Sequence, residues 1–163
     1  MLKKYWFYIV SSLSIGALGS ALIAEFYFDF APCELCLKQR HPYYIIIVGF
    51  IIVTIMKWQQ RIWFYLGVKI ISIYGLYYSI WHVGVENKLL SGPAGCSSEL
   101  NITNSTLNLK EQIVSQPVVN CMDVAWSIFG LSAATINTFI LILIFILNAI
   151  YLFNYYDQKK ENN

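Results

Sequence analysis

Charge is scarce in this chain. Only 12% of its 163 residues are Asp, Glu, Lys or Arg, while 58% are apolar; a soluble domain carries roughly twice that charged share. The composition excludes an ordinary soluble fold and points to a bilayer. Net charge is equally modest. A formal +2, with no basic cluster carrying interleaved aromatics, excludes nucleic acid as a partner. No internal repeat is visible, and the length holds one domain on the usual size prior. Cysteine is limited to four residues, a close pair at Cys33 and Cys36 and a distant pair at Cys96 and Cys121. An even count permits three disulfide connectivities. A second close pair, usual in structural zinc sites, is missing, so no metal is expected. Haem attachment requires His directly after the second cysteine, where Leu37 stands. No soluble strand-helix-strand unit surrounds the close pair, which excludes a thioredoxin-like domain.

Long apolar runs are what the chain has in their place. The first, about 5–27, follows Lys3 and Lys4 and contains Gly19-Ser20-Ala21, which superficially matches a secretory signal and its cleavage site. It exceeds the 7–15 apolar residues of a signal and suffices to cross about 30 Å of hydrocarbon, so it reads as a retained helix. The second is uninterrupted only from Tyr43 to Met56, roughly 21 Å at 1.5 Å per residue. Completing a crossing extends it back to about 39–57, which places Gln39, Arg40 and His41 in its first turns and Pro42 near its start. The third is about 62–82, with Lys69 near enough to its start to snorkel to the interface. The fourth, about 124–153, is longer than one crossing requires and so tilts or projects.

The polar segments between them, about 28–38 and 83–123, read as loops. Within the longer one, Leu107, Ile113 and Val114 fit one face of a short amphipathic helix. Asn101 and Asn104 match glycosylation acceptors, a frequent accident in an Asn-rich stretch. Lys3, Lys4, Lys57, Arg61, Lys159 and Lys160 fall on one side of the membrane, and Lys38, Arg40, Lys88 and Lys110 on the other. The positive-inside rule then makes both termini cytoplasmic and turns all four cysteines outwards. The expected fold class is all-α: a polytopic membrane protein, a bundle of four transmembrane helices with two outward cysteine-bearing loops in a single membrane domain.

Chemistry concentrates in Pro32-Cys33-Glu34-Leu35-Cys36-Leu37-Lys38-Gln39-Arg40. If a helix begins here, Cys36 and Arg40 lie one turn apart on the same face. The exposed amides of a helix N-terminus favour a thiolate, as do Lys38 and Arg40, while Glu34 opposes it. Outside the cytoplasm thiols meet oxidants. A structural bridge between Cys96 and Cys121 would close a loop of about two dozen residues and stabilise by about 3 kcal/mol. The small ring of a Cys33–Cys36 bridge restrains little chain and favours exchange. A lone Arg or His at a membrane boundary is more often an interfacial anchor. Here Arg40 and His82 fall at the outer ends of spans two and three. If those spans are neighbours, both donors surround one apolar pocket beside Cys36, as a membrane-soluble carbonyl acceptor requires.

With these residues, the chain resembles the bacterial disulfide bond formation protein B (DsbB) family, quinone-linked thiol oxidases of the inner membrane. The likeness rests on the four spans, Cys33-Glu34-Leu35-Cys36 followed by Gln39-Arg40, and the second outward loop with Cys96 and Cys121. The string His82-Val83-Gly84-Val85-Glu86, continued by Gly92-Pro93-Ala94-Gly95-Cys96, looks like one branch of that family. The resemblance implies a relay. A reduced soluble thioredoxin-fold oxidase, DsbA-like, would attack a Cys96–Cys121 disulfide, with Cys96 forming the mixed disulfide. Cys121 would exchange with Cys33, and Cys36 would pass the electron pair to a bound quinone, ubiquinone or menaquinone. Arg40 matches the family's quinone-side arginine, and His82 falls where members have a quinone-proximal histidine. The same two-pair logic fits oxidoreductases of the vitamin K epoxide reductase type. The non-enzymatic alternative is a four-helix membrane scaffold with structural disulfides.

Overall fold

The computed structural model of the chain describes residues 2–58, 62–93, 120–124 and 126–161. Among them the protein is all-α apart from one small hairpin. Its helices are α1 (Leu2–Phe26), α2 (Glu34–Ile55), α3 (Ile62–Glu86) and α4 (Ala133–Glu161), with strands β1 (Ser127–Ile128) and β2 (Leu131–Ser132) before α4. The strands pair antiparallel, Ser127 opposite Ser132 and Ile128 opposite Leu131. Two helical segments, Tyr5–Phe26 and Ala133–Asp157, are long and apolar enough to cross a membrane, with mean hydropathies of 1.8 and 2.4.

The helix surfaces explain why these residues need lipid. Ile9, Ile15 and Ile23 of α1, Ile51 and Ile55 of α2, Trp63 and Ile70 of α3 and Phe139 and Phe153 of α4 are all exposed. A helix satisfies its own backbone, so such a surface suits hydrocarbon. The polar residues turn inward or bond locally. Ser11 and Ser14 are buried, and each donates to the carbonyl four residues earlier, at 2.8 and 2.9 Å. Asn148 of α4 donates to the Tyr65 carbonyl of α3 at 2.8 Å, one of the interhelical hydrogen bonds that join membrane helices.

Helix α3 packs against α2 and α4, and α1 lies against α2 and α4. Trp6, Val10, Tyr43, Ile46, Tyr65, Val68, Leu141 and Ile144 form the main core. Helices α2, α3 and α4 meet closely at Gly75, where a Cβ would stand 2.7 Å from Pro42 Cγ and 3.2 Å from Leu141 Cδ1. Pro42 lacks the N–H that would bond back along α2, yet its ring is buried and the missing side chain of Gly75 receives it. A smaller cluster of Cys33, Leu35, Val85 and Cys121 sits at the opposite end from Trp6.

Several element boundaries differ from the sequence expectation. Helix α2 starts at Glu34, ahead of the span expected from 39, because Cys33 caps it. Helix α3 runs one turn beyond His82 to Glu86. Helix α4 begins only at Ala133, and residues 126–132 turn back as the hairpin rather than opening a helix at 124. Phe129 and Gly130 have φ of 52° and 80°, a left-handed pair that no α-helix accommodates. Ser132 then caps α4, its Oγ accepting from the Thr135 amide at 3.2 Å. Cys96, the segment with Leu107, Ile113 and Val114, and the acceptors Asn101 and Asn104 lie outside the described residues.

Candidate active site

The close cysteine pair is built by a helix start. Cys33 is the N-cap of α2, with φ −74° and ψ 170°, and its Sγ accepts the Cys36 amide at 3.3 Å. The turn brings Cys36 Sγ to 2.8 Å from Cys33 Sγ. Both are free thiols, Cys33 buried and Cys36 partly so. From α3, His82 presents Nε2 to Cys33 Sγ at 3.6 Å. Gln39, one helical turn after Cys36, holds the other ring nitrogen, its Nε2 lying 2.8 Å from His82 Nδ1. Glu86 follows His82 by one turn, with Oε1 3.9 Å from His82 Nε2, and its Oε2 accepts from Ser132 Oγ at 2.5 Å.

Arg40 is held by α1. It forms an ion pair with Glu25 and donates to the Ala21 carbonyl at 3.4 Å. Cys33, Cys36, Arg40 and His82 line a single cavity, together with Gln39, Glu86, Asn137 and Asp123. Its apolar walls come from Ala17, Ala21, Ala24, Phe30, Tyr43, Trp126 and Ile140. Ala17, Ser20 and Ile140 also border an open groove that continues along α1 past Tyr5, Tyr8, Ile9 and Leu13. A mostly apolar chamber with a few polar groups beside two thiols therefore adjoins an apolar flank.

The electrostatics divide the two thiols. Cys33 is pulled down from 9.0 to about 4, chiefly because its thiolate accepts a hydrogen bond from Cys36; burial opposes this, while His82 and the Cys36 amide assist. Cys36 is pushed up, first because Cys33 takes its hydrogen as a bond, then by burial and by the neighbouring negative charge, with Arg40 a small counterweight. When the dithiol loses a proton, these contacts favour the charge on Cys33. In sequence the helix amides, Lys38 and Arg40 stand behind a thiolate without choosing between the two sulfurs. The structure instead spends Lys38 on Glu34 at 2.7 Å and gives the helix amide to Cys33.

Cys121 is in a disulfide, fully buried, and packs in one cluster with Cys33; Cys96 lies outside the described residues. The Sγ atoms of Cys33 and Cys36 and a ring nitrogen of His82 lie within 4.8 Å of one another, a soft donor set of the kind that holds a metal. In a tetrahedral site with Zn–S near 2.3 Å the sulfurs stand about 3.8 Å apart. The 2.8 Å separation here is shorter than that.

Four contributors escaped the sequence reading of the site: Glu25, Gln39, Glu86 and Asn137. Glu86 had a signal, since it lies four residues after His82 and therefore on the same helical face. Asn137, a carboxamide in an apolar helix, had another. The pairing of Glu25 with Arg40 spans two helices and left no trace in local spacing.

A helical membrane protein with a dithiol at the mouth of an apolar cavity belongs to the class of membrane thiol–disulfide oxidoreductases. More particularly, this chain belongs to the family described as Disulfide bond formation protein DsbB, whose model matches residues 3–151. An uncharacterised protein of Rickettsia prowazekii is 30% identical over 147 residues, covering 89% of this chain and 85% of that protein. Proteins named Disulfide bond formation protein B from Cupriavidus necator and Cupriavidus pinatubonensis are each 27% identical over 94 residues. Those matches cover 58% of this chain and 56% of each relative. No solved structure matches the chain. Family membership makes this a membrane disulfide-bond formation protein with disulfide oxidoreductase activity.

Proposed function

We propose that the protein is an inner-membrane dithiol oxidase that reoxidises a soluble, periplasmic DsbA-like partner and passes the electrons to a membrane quinone. The single membrane domain crosses four times through α1 to α4, with both termini cytoplasmic and the cysteine loops periplasmic. The observation that carries this reading is the position of the Cys33/Cys36 dithiol. On one side Cys33 shares a cluster with the disulfide-bonded Cys121; on the other Cys36 borders the cavity with Arg40 and His82.

In this reading Cys96 is the disulfide partner of Cys121. A thiolate of the reduced partner attacks Cys96 and displaces Cys121. Cys121 attacks Cys33 of an oxidised Cys33–Cys36 pair and releases Cys36 as the thiolate. The partner's second thiol resolves its mixed disulfide and leaves oxidised, freeing Cys96. Cys96 then attacks Cys121, restoring the loop disulfide and returning Cys33 as a thiol. The net result is one disulfide made in the partner and two electrons left on Cys33 and Cys36.

The acidity pattern gives this order a physical basis. Two of the leading influences that hold the proton on Cys36 come from Cys33, its hydrogen bond and its charge. While Cys33 is bound to Cys121 both vanish, and Arg40 acts on Cys36 unopposed except by burial. Burial still favours the thiol, but Cys36 leaves the exchange as a thiolate beside the cavity, and the two influences of Cys33 that would draw a proton to it are absent.

Features that suit a quinone head are apolar walls, the N–H groups of Arg40 for a carbonyl oxygen, and an apolar groove leading away along α1, with His82 beside the thiols. When bound, the quinone supplies a two-electron, two-proton sink. Arg40, oriented by Glu25, provides fixed positive charge where negative charge develops on oxygen. The test is anaerobic mixing of purified, reduced protein with a short-chain quinone, following thiol content and quinone absorbance together. Thiol loss in step with quinone reduction, abolished by Cys36→Ser, is the expected result. No reaction, beside an active quinone-linked oxidase as control, refutes the reading and favours a scaffold with structural disulfides.

A further inference from the structure

We infer that Gln39 is a positioning residue that locks His82 in the tautomer with its ring hydrogen on Nε2, directed at the Cys33 sulfur. The inference deepens the functional reading above and rests on Cys33 and Cys36 being the working dithiol.

The orientation of the Gln39 amide is set by its neighbours. Its Nε2 lies 2.8 Å from His82 Nδ1 and 3.5 Å from the Tyr78 carbonyl oxygen. A backbone carbonyl only accepts, so the group facing it must be the amide nitrogen. On its other side, Gln39 Oε1 accepts from Asn137 Nδ2 at 3.1 Å. Asn137 is itself placed, its Oδ1 accepting from Tyr43 OH at 2.6 Å and its Nδ2 donating to Ser79 Oγ at 3.1 Å. Reversing Gln39 would set its oxygen against the Tyr78 oxygen and its nitrogen against Asn137 Nδ2. The Tyr78 carbonyl, which can only accept, therefore selects this orientation.

Gln39 then donates to His82 Nδ1, which must offer a lone pair. In the neutral ring the hydrogen is left on Nε2, the atom 3.6 Å from Cys33 Sγ. That tautomer gives a thiolate a hydrogen bond; the other would oppose it with a lone pair. Gln39 and His82 are 5% and 3% exposed, so water cannot substitute for the missing donor. The charged or titratable groups around the ring are Cys33 and Cys36 on α2, Glu86 on α3, Arg40 with its partner Glu25, and Asp123.

The experiment uses the reduced full-length protein in detergent, labelled with 15N-histidine. The chain has two histidines, and His41 is exposed, so His41→Gln leaves His82 as the single signal. Nitrogen chemical shifts and one-bond N–H couplings then report which ring nitrogen carries the hydrogen. Iodoacetamide alkylation of Cys33 on the acid side of its midpoint, where the rate follows the thiolate fraction, is the second measurement, read by mass spectrometry. The expected result is hydrogen on Nε2 in the parent, mixed tautomers in Gln39→Met, and Cys33 alkylation about tenfold slower, the weight of one charge-assisted hydrogen bond. Asn137→Leu, which releases the far end of the Gln39 amide, should move both readouts in the same direction. Hydrogen on Nδ1 in the parent overturns the inference, whatever the variants do. So does a tautomer and an alkylation rate unmoved by Gln39→Met. A parent with Gln39-dependent Nε2–H that fails to react with quinone overturns the functional reading and leaves the tautomer assignment standing.

Discussion

Removing one sulfur should change the acidity of the other by a readable amount. In Cys36→Ala the S–H that lies 2.8 Å from Cys33 Sγ disappears, and with it the largest influence holding Cys33 near about 4 rather than 9.0. A hydrogen bond to a charged group is worth about 1.5–3 kcal/mol, and one pKa unit corresponds to about 1.36 kcal/mol. Loss of the bond should therefore raise the Cys33 midpoint by roughly one to two units. His82 and the helix amide remain, so the midpoint should stay below 9.0. Cys36→Ser keeps an O–H donor and should shift it less. The assay is the pH dependence of Cys33 alkylation in the reduced protein, quantified on the peptide that contains it. The linkage has a definite sign. Cys33 is more acidic folded than unfolded, so between about 4 and 9.0 the unfolded chain binds more protons. The stability of the reduced protein should rise with pH across that window and be lost as pH falls towards its lower end. In Cys36→Ala the lower end of the window moves up, so less stability is gained between weakly acidic and neutral pH. An unchanged Cys33 midpoint in Cys36→Ala would refute the assignment of the thiolate.

Other perturbations address packing and positioning. Gly75→Ala sets a methyl 2.7 Å from the rigid Pro42 ring and should destabilise by about 1–3 kcal/mol, read as a lower midpoint of thermal unfolding in detergent; an unchanged midpoint would show that α2 and α3 separate freely. Glu25→Gln removes the ion pair that orients Arg40; it should raise the KM for quinone while thiol exchange with the soluble partner keeps its rate, and a loss confined to partner exchange would contradict that role. Ser132→Ala deletes the cap of α4 and the donor to Glu86 and should cost about 1 kcal/mol, measured by chemical unfolding against the parent protein.

Much of this protein follows from patterns along the chain. Paucity of charge and long apolar runs point to helices in a bilayer, because only a structure that satisfies its own backbone survives there. The spacing of Cys33 and Cys36 dictates that two sulfurs meet at a helix start, and the placement of Arg40 one turn later carries it to the same cavity as Cys36. These are local properties, set by 3.6 residues per turn and by transfer free energies.

What the tertiary structure alone decided is how residues far apart in sequence act on one another. Glu25 meets Arg40 only because α1 lies against α2. Gln39 reaches His82 across the α2–α3 contact that Gly75 and Pro42 permit, and Asn137 joins them from α4. The hairpin before α4, which brings Ser132 to Glu86, replaced an expected first turn of helix because Phe129 and Gly130 take left-handed backbone angles. The identity of the thiolate belongs to this second group in part, through His82 of α3, the Cys36 thiol and amide being local to the start of α2. Sequence spacing brought positive charge towards the pair, whereas the folded molecule favours the negative charge on Cys33, where the Cys36 thiol, a helix amide and His82 converge on one sulfur. Hydrogen bonds act over about 3 Å, so which sulfur His82 favours is determined by packing, and no pattern along the chain records it.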